Sequence, residues 1–328
     1  MRKKLGLLCS LVLLACFPAA GQTFEVQQNG SSQPAPQQGK QPKGASAGSQ
    51  ETLGWGASIE VSRQANAAEA ALKRGDYNSA VTFAQRAANA APQDFHLWFL
   101  LGYAARLSGQ TQLSVNAFQR GLQAQPNSVE GLSGLAQTYV KMGRTDEAKK
   151  LLLQVIAANP RRINDLLAAG ELFVQTADYQ GAINVLQRGE AIQPSSRAEL
   201  LMALAYQRSQ QPELAKQMLQ RARSRSPQNP EVLRAVAGYY REIKDFPPAI
   251  AALQEIPNKT SDVLAELAYT YQLAGQKQAA ADTYAQAAKA APAQLPLQLA
   301  AASAELSVNA FERARGFLNQ AASLNPNY

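Results

Sequence analysis

From residue 61 onward, apolar residues recur every three or four positions, in stretches separated by short polar breaks. The segment Phe95–Pro126 shows the unit most clearly, reading FHLWFLLGYAARLSGQTQLSVNAFQRGLQAQP. Its apolar positions flank a polar break at Ser108-Gly109, a pattern that predicts two amphipathic helices joined by a tight turn. The same layout returns about every 34 residues, giving eight expected units at 61–94, 95–128, 129–162, 163–196, 196–229, 230–260, 261–294 and 295–328.

Four columns define the unit. A small residue stands mid-way along every expected first helix: Ala68, Gly102, Ala136, Gly170, Ala203, Ala237, Ala268 and Ala302. Small side chains there let two helix axes approach closely. A second small column opens the second helices, as Ala80, Ser114, Ala148, Ala182, Ala215, Ala249, Ala280 and Ala314. Four positions later comes a large residue in seven units: Phe118, Leu152, Leu186, Leu219, Leu253, Tyr284 and Leu318, with Ala84 the weak member. Small then large, one turn apart, sets a hole beside a knob on one helix face. Prolines 92, 126, 160, 194, 227, 292 and 326 close the units, and Gly75, Gly109, Gly143 and Gly275 occupy the turns as helix stops.

These columns resemble the tetratricopeptide repeat family, whose signature has Trp, Leu-Gly, an aromatic, Ala, a large residue and Pro at set spacings. Trp98, Leu101, Gly102, Phe118 and Pro126 match it in the second unit; Leu132, Leu135, Ala136, Tyr139, Ala148 and Pro160 match in the third. Tyr206, Tyr240 and Tyr271 fill the aromatic place later. The resemblance covers 61–328 and implies an all-α fold, a right-handed α-solenoid of about eight helix-turn-helix repeats over 58–328. The sixth unit departs from the pattern: it is short, lacks its closing proline and carries Pro247, Pro248 and Pro257, so an irregularity is expected around 245–260. Gln64 and Ala71 in the first unit, and Gln298 and Glu305 in the last, stand in the large slots.

The resemblance also implies that the first helices line a concave face on which extended peptides or helices dock. With Trp98, Leu101, Gly102 and Ala105 as the core stripe, the neighbouring stripe is Phe99, Tyr103 and Arg106, at i, i+4 and i+7. Downstream equivalents are Leu167, Glu171 and Val174; Leu200, Leu204 and Gln207; Arg234, Gly238 and Arg241; and Ala265, Tyr269 and Gln272. The expected groove is therefore aromatic and apolar early and basic in the sixth unit. Packing between adjacent first helices would give the same spacing. The Lys/Asn set of relatives that clamp a chaperone tail is absent: Ala65, Glu69, Ser133 and Gln137 stand there instead.

Catalytic chemistry finds little support. His96 is the only histidine, and the two cysteines, Cys9 and Cys16, lie in the first 21 residues. Nucleophile–base pairs, cysteine metal sites and a disulfide framework are thus unavailable in the repeats. No glycine-rich phosphate loop is present, so no cofactor or metal is expected. Carboxylates such as Asp146, Glu147 and Glu199 are read as solvated helix faces, and Arg221, Arg223 and Arg225 as a solvated helix end. The formal charge is +8, of which Arg2, Lys3 and Lys4 contribute three, leaving +5 if they are removed. That excess, without a dense Lys/Arg stripe interleaved with aromatics, argues against a nucleic-acid partner.

Residues 1–21 have the three parts of a secretory signal: Arg2-Lys3-Lys4, the apolar run Leu5–Ala15, and the exit Phe17-Pro18-Ala19-Ala20-Gly21. The run of 11 residues is shorter than the roughly 20 that a spanning helix needs. Cleavage after Gly21 competes with a lipobox reading of Leu13-Leu14-Ala15-Cys16, in which Cys16 is acylated; membrane attachment is expected only on that second route. Of the 36 residues from 22 to 57, 21 are Gln, Gly, Ser or Pro, which predicts a disordered tether. The functional expectation is a non-enzymatic scaffold or adaptor of the bacterial cell envelope, in the periplasm or outside the cell. The alternative is the regulatory or substrate-recruiting arm of a larger enzyme or assembly complex.

Overall fold

The computed structural model describes residues 59–325; the signal segment with Cys16, the 22–57 segment and Pro326 lie outside the described residues. Those residues form sixteen helices in eight consecutive pairs and no strand. The pairs are α1 (Ile59–Lys73) with α2 (Tyr77–Ala90), α3 (Phe95–Leu107) with α4 (Thr111–Ala124), α5 (Val129–Lys141) with α6 (Thr145–Ala158), and α7 (Ile163–Gln175) with α8 (Tyr179–Ile192). Then follow α9 (Ser196–Arg208) with α10 (Pro212–Arg225), α11 (Pro230–Glu242) with α12 (Phe246–Glu255), α13 (Ser261–Leu273) with α14 (Lys277–Ala290), and α15 (Leu295–Ser307) with α16 (Phe311–Leu324).

Ten of the sixteen helices start at a side-chain cap or a first-turn proline. Asp76, Asp94, Ser128, Asp178, Ser195, Asn229 and Thr260 accept a hydrogen bond from a backbone N–H of the first turn. Pro212, Pro230 and Pro296 sit in first turns, where a missing N–H costs nothing. The α12 helix has 10 residues where the other second helices have 14, and it stops at Ile256, which is buried and extended. The irregularity expected at 245–260 is thus a shortened second helix.

All eight turns within the pairs close in the same way. The N–H two residues beyond each first helix's C-cap reaches the carbonyl five residues back, as in Asp76 to Ala71, Gln110 to Ala105, Asp178 to Phe173 and Ala310 to Glu305. This geometry puts the intervening residue in the left-handed region. Gly75, Gly109, Gly143 and Gly275 take it at φ 72–83°, but so do Ala177 (59°), Gln210 (61°), Lys244 (61°) and Asn309 (60°). The backbone bonds, not the residue, impose the conformation. A side chain there costs about 1–2 kcal/mol, against which glycine loses about 0.5–1 kcal/mol of chain entropy. Ala177→Gly should therefore raise the denaturant midpoint and Gly109→Ala should lower it; an unchanged or lower midpoint for Ala177→Gly would mean the turn carries no strain.

The small columns are the close contacts of the stack. Ala68, Ala136, Ala237 and Ala268 have no exposed surface, and Gly102 and Gly170 are buried. A Cβ on Gly102 would lie 2.8 Å from the ring of Phe118, and one on Gly170 2.4 Å from Leu186. Leu152, Leu186 and Leu253 fill the large column with no exposure, each contributing about 1.5–3 kcal/mol of apolar burial. Each second helix packs on its own first helix and on the next one, while first helices also touch each other directly from α1 through α11. The first helices therefore form the inner side of the stack. At the far end Leu306, Phe311 and Leu318 are exposed, so the large slot of the last pair is unfilled by any following helix among the described residues.

Candidate functional site

The inner side is built from first-helix positions flanking the core stripe. Tyr103 is half-buried, with the Arg106 guanidinium 5.3 Å from its ring centroid. Burial raises the Tyr103 hydroxyl above its usual range and lowers Arg106. The Nε of Arg106 is buried without a hydrogen-bond partner, and no carboxylate among the described residues lies within ion-pair distance of it. Lys141 joins this corner from α5, its Nζ donating to the Arg106 carbonyl at 2.7 Å. Leu200 and Leu204 are half-buried on α9, Leu200 against the main core, and the Gln207 amide donates to Glu242 at 2.7 Å.

Two expectations need correction. Phe99 is not a groove residue: it is 1% exposed. Its ring fills a hole between α3, α4 and α5 made by Gly121 and Gly131, where a Cβ would come within 2.4 Å and 2.5 Å of it. It meets Phe95 edge-on at 5.5 Å between centroids and Phe118 at 6.1 Å. Nor is the sixth pair simply basic. Arg234 Nε bonds Glu266 at 2.7 Å, and Arg241 bonds the other oxygen of the same carboxylate at 3.2 Å and Thr270 at 3.3 Å. Arg241 also lies 5.9 Å from the Tyr269 ring centroid. Glu266 on α13 thus pins both arginines and Tyr269 into one cluster. Likewise Arg197 is held by Glu171 at 2.7 Å. The structure therefore gathers the candidate residues into separate stations: Tyr103 with Arg106, Leu200 with Leu204, and Arg234 with Arg241 and Tyr269.

Trp98 behaves as expected of a core residue, 6% exposed, its indole N–H donating to the Pro92 carbonyl at 2.9 Å. Arg120 of α4 covers its ring at 4.5 Å. The equivalent slot on α9 holds Glu199, which the sequence placed on a solvated face; it has no exposed surface. Arg221, in the position equivalent to Arg120, approaches it at 3.3 Å, and Arg225 bonds it at 3.1 and 3.2 Å. The same two arginines reach Glu190 at 3.0 and 3.4 Å, and Glu190 also accepts the Ser195 N–H. The helix end read as solvated is an ion cluster over two buried carboxylates. Arg223 points elsewhere, to Glu255 at 2.8 Å. The missed signal was the column itself: a charge in a slot that is Trp or Leu in five of the other seven units needs a counter-charge. Asp146 and Glu147 are exposed as expected, and His96 is an exposed cap-side residue 3.1 Å from Asp94.

Among the described residues, no group of three or more His, Cys, Asp or Glu is placed to hold a metal, and no helix is long and apolar enough to cross a membrane.

Comparisons with known proteins agree with this architecture. Family models described as tetratricopeptide repeat match residues 66–129, 105–170 and 200–262. The human PEX5-related protein is 32% identical over 90 residues, 27% of this chain and 14% of that protein; the mouse protein of the same name is 31% identical over 90 residues, 27% and 16%. The chain thus spans 14–16% of the length of these curated relatives. A tetratricopeptide repeat protein structure from Parabacteroides merdae superposes with TM-score 0.58 at 18% identity, covering 73% of this chain and 96% of that one. The Pseudomonas aeruginosa PilF structure gives 0.51 at 17% identity, covering 62% and 95%. At such identities the structures are alike in fold.

Proposed function

Since this chain belongs to the tetratricopeptide repeat family, we propose that it is an exported, non-catalytic scaffold binding a protein partner, as an extended peptide or helix, along the inner side of its first helices. The observation that carries this reading is the state of Arg106. Its neighbours in kind, Arg197, Arg234 and Arg241, are all neutralised within the chain, whereas Arg106 stands half-buried beside Tyr103 with an unmet donor and no carboxylate. An aromatic side chain and an arginine on a rigid helix are the groups that most often anchor interfaces. Their frame is already ordered by the core, which lowers the entropic cost of binding.

Export rests on the tripartite segment 1–21, which supports a location in the periplasm or outside the cell. Affinity capture from envelope extract should lose partners at least tenfold on combining Tyr103→Ala, Arg106→Glu and Leu204→Ala, with the melting temperature little changed. Undiminished recovery would rule out this face. In the same mass spectra the mature chain should begin at Gln22; an acylated Cys16 would overturn the soluble route in favour of a lipid anchor.

A further inference from the structure

Three repeat junctions share one polar contact. The Gln119 amide donates to the hydroxyl of Tyr139, Gln187 to that of Tyr206, and Gln254 to that of Tyr271. In each case a second-helix glutamine meets the tyrosine in the late aromatic slot of the next first helix. Where that slot holds Phe173, the facing position is Leu153, and where it holds Ala105 the facing position is still a glutamine, Gln85. At the junction of α14 with α15 the pair is Ala285 and Glu305. The tyrosine ring and its amide partner are both missing, and a cleft of about 380 Å³ stands there, lined by Ala285, Lys289, Gln298, Glu305, Arg313 and Phe317 among others.

Glu305 has no exposed surface, and both its carboxylate oxygens lack a hydrogen-bond donor. Arg313 Nη2 comes within 3.0 Å of one oxygen without hydrogen-bonding it, while Nη1 of the same guanidinium bonds Asp282 at 3.1 Å. Burial raises the Glu305 carboxyl above its usual range. A buried acceptor left unmet is destabilising, so a donor entering the cleft is favoured there. The charges along the cleft balance, Lys289 and Arg313 against Glu305 and Glu312, so no net charge selects an ion. Its other walls are apolar at Ala285, Ala288 and Phe317.

We propose that this cleft binds a phenolic ring, its hydroxyl donating to the Glu305 carboxylate and its ring occupying the space that Tyr139, Tyr206 and Tyr271 fill at their junctions. The site lies between second helices and the last pair, and does not depend on the inner-side reading. The phenol is either a free small molecule or a tyrosine side chain of a partner.

The test is an NMR titration of the whole protein with p-cresol, N-acetyltyrosinamide, toluene and benzylamine, following the amides of α14–α16. p-Cresol should bind saturably and about tenfold more tightly than toluene, which has the same shape but no donor. Binding of N-acetyltyrosinamide as well assigns the site to a tyrosine side chain; binding of p-cresol alone assigns it to a free phenol. Ala285→Gln with Glu305→Tyr, which restores the pair found elsewhere, should abolish binding. Glu305→Leu should remove the preference of p-cresol over toluene. Equal binding of toluene and p-cresol to the native protein, tighter binding of benzylamine, no saturable shift, or undiminished binding to the refilled variant would each overturn the proposal.

Discussion

Replacing Arg221 and Arg225 together by alanine should lower the melting temperature by roughly 10 °C, although both side chains are partly exposed. The reason lies beneath them. Glu199 has no exposed surface and Glu190 only 8%, and the two arginines are the cations that reach both carboxylates. Removing a counter-charge from a buried ion strands the remaining charge in a low-dielectric site, which costs far more than a surface pair is worth. Two comparisons isolate the effect. Arg223→Ala breaks a pair with Glu255 that is exposed on both sides, and should leave the melting temperature within a degree or two. Glu199→Leu installs the residue that Leu132, Leu166, Leu233 and Leu264 supply in the same slot, and should be neutral or stabilising. If the double alanine variant melts with the wild type, the carboxylates are solvated and the cluster is ornamental.

The same cluster shows where reading the chain stops. The helices, their pairing and the small column were legible because each repeats at helical spacing in every unit, and Trp98 fell into the core because its slot is large and apolar in most copies. Half of the turns were legible as glycine. Ala177, Gln210, Lys244 and Asn309 were not, because a reciprocal set of backbone bonds drives them into the left-handed region without a residue that announces it. Phe99 was misplaced because a stripe on one helix carries no information about its neighbours. Only the glycines on α4 and α5 reveal the hole that its ring fills. Arg234 and Arg241 looked like a free basic patch for a similar reason: Glu266 neutralises them from the following repeat, 25 to 32 residues away. Contacts within a helix can be read from its own sequence. Contacts between repeats need the register of one helix against the next, and the candidate inner face is made almost wholly of those.

That register is tested most directly at Gly102. Gly102→Leu should destabilise the protein by about 3 kcal/mol, the upper end of what overpacking a close-packed core costs. A Cβ alone would stand 2.8 to 2.9 Å from three atoms of the Phe118 ring, and a leucine adds three further carbons in the same direction. Phe118 has nowhere to retreat, since its far edge already faces Gly134 of the next first helix, where a Cβ would be 2.3 Å from the ring. The repeats themselves supply the compensating change. The second pair matches Gly102 with Phe118, whereas the third matches Ala136 with Leu152, a larger small residue against a smaller large one. Gly102→Ala should therefore be destabilising in the native background and much less so when combined with Phe118→Leu. The coupling between the two should be about 1 kcal/mol or more, as for residues in direct contact. Equilibrium denaturation of the four proteins in that cycle measures it. Strict additivity would mean that the two columns do not meet as knob and hole, and the packing register of the whole stack would have to be redrawn.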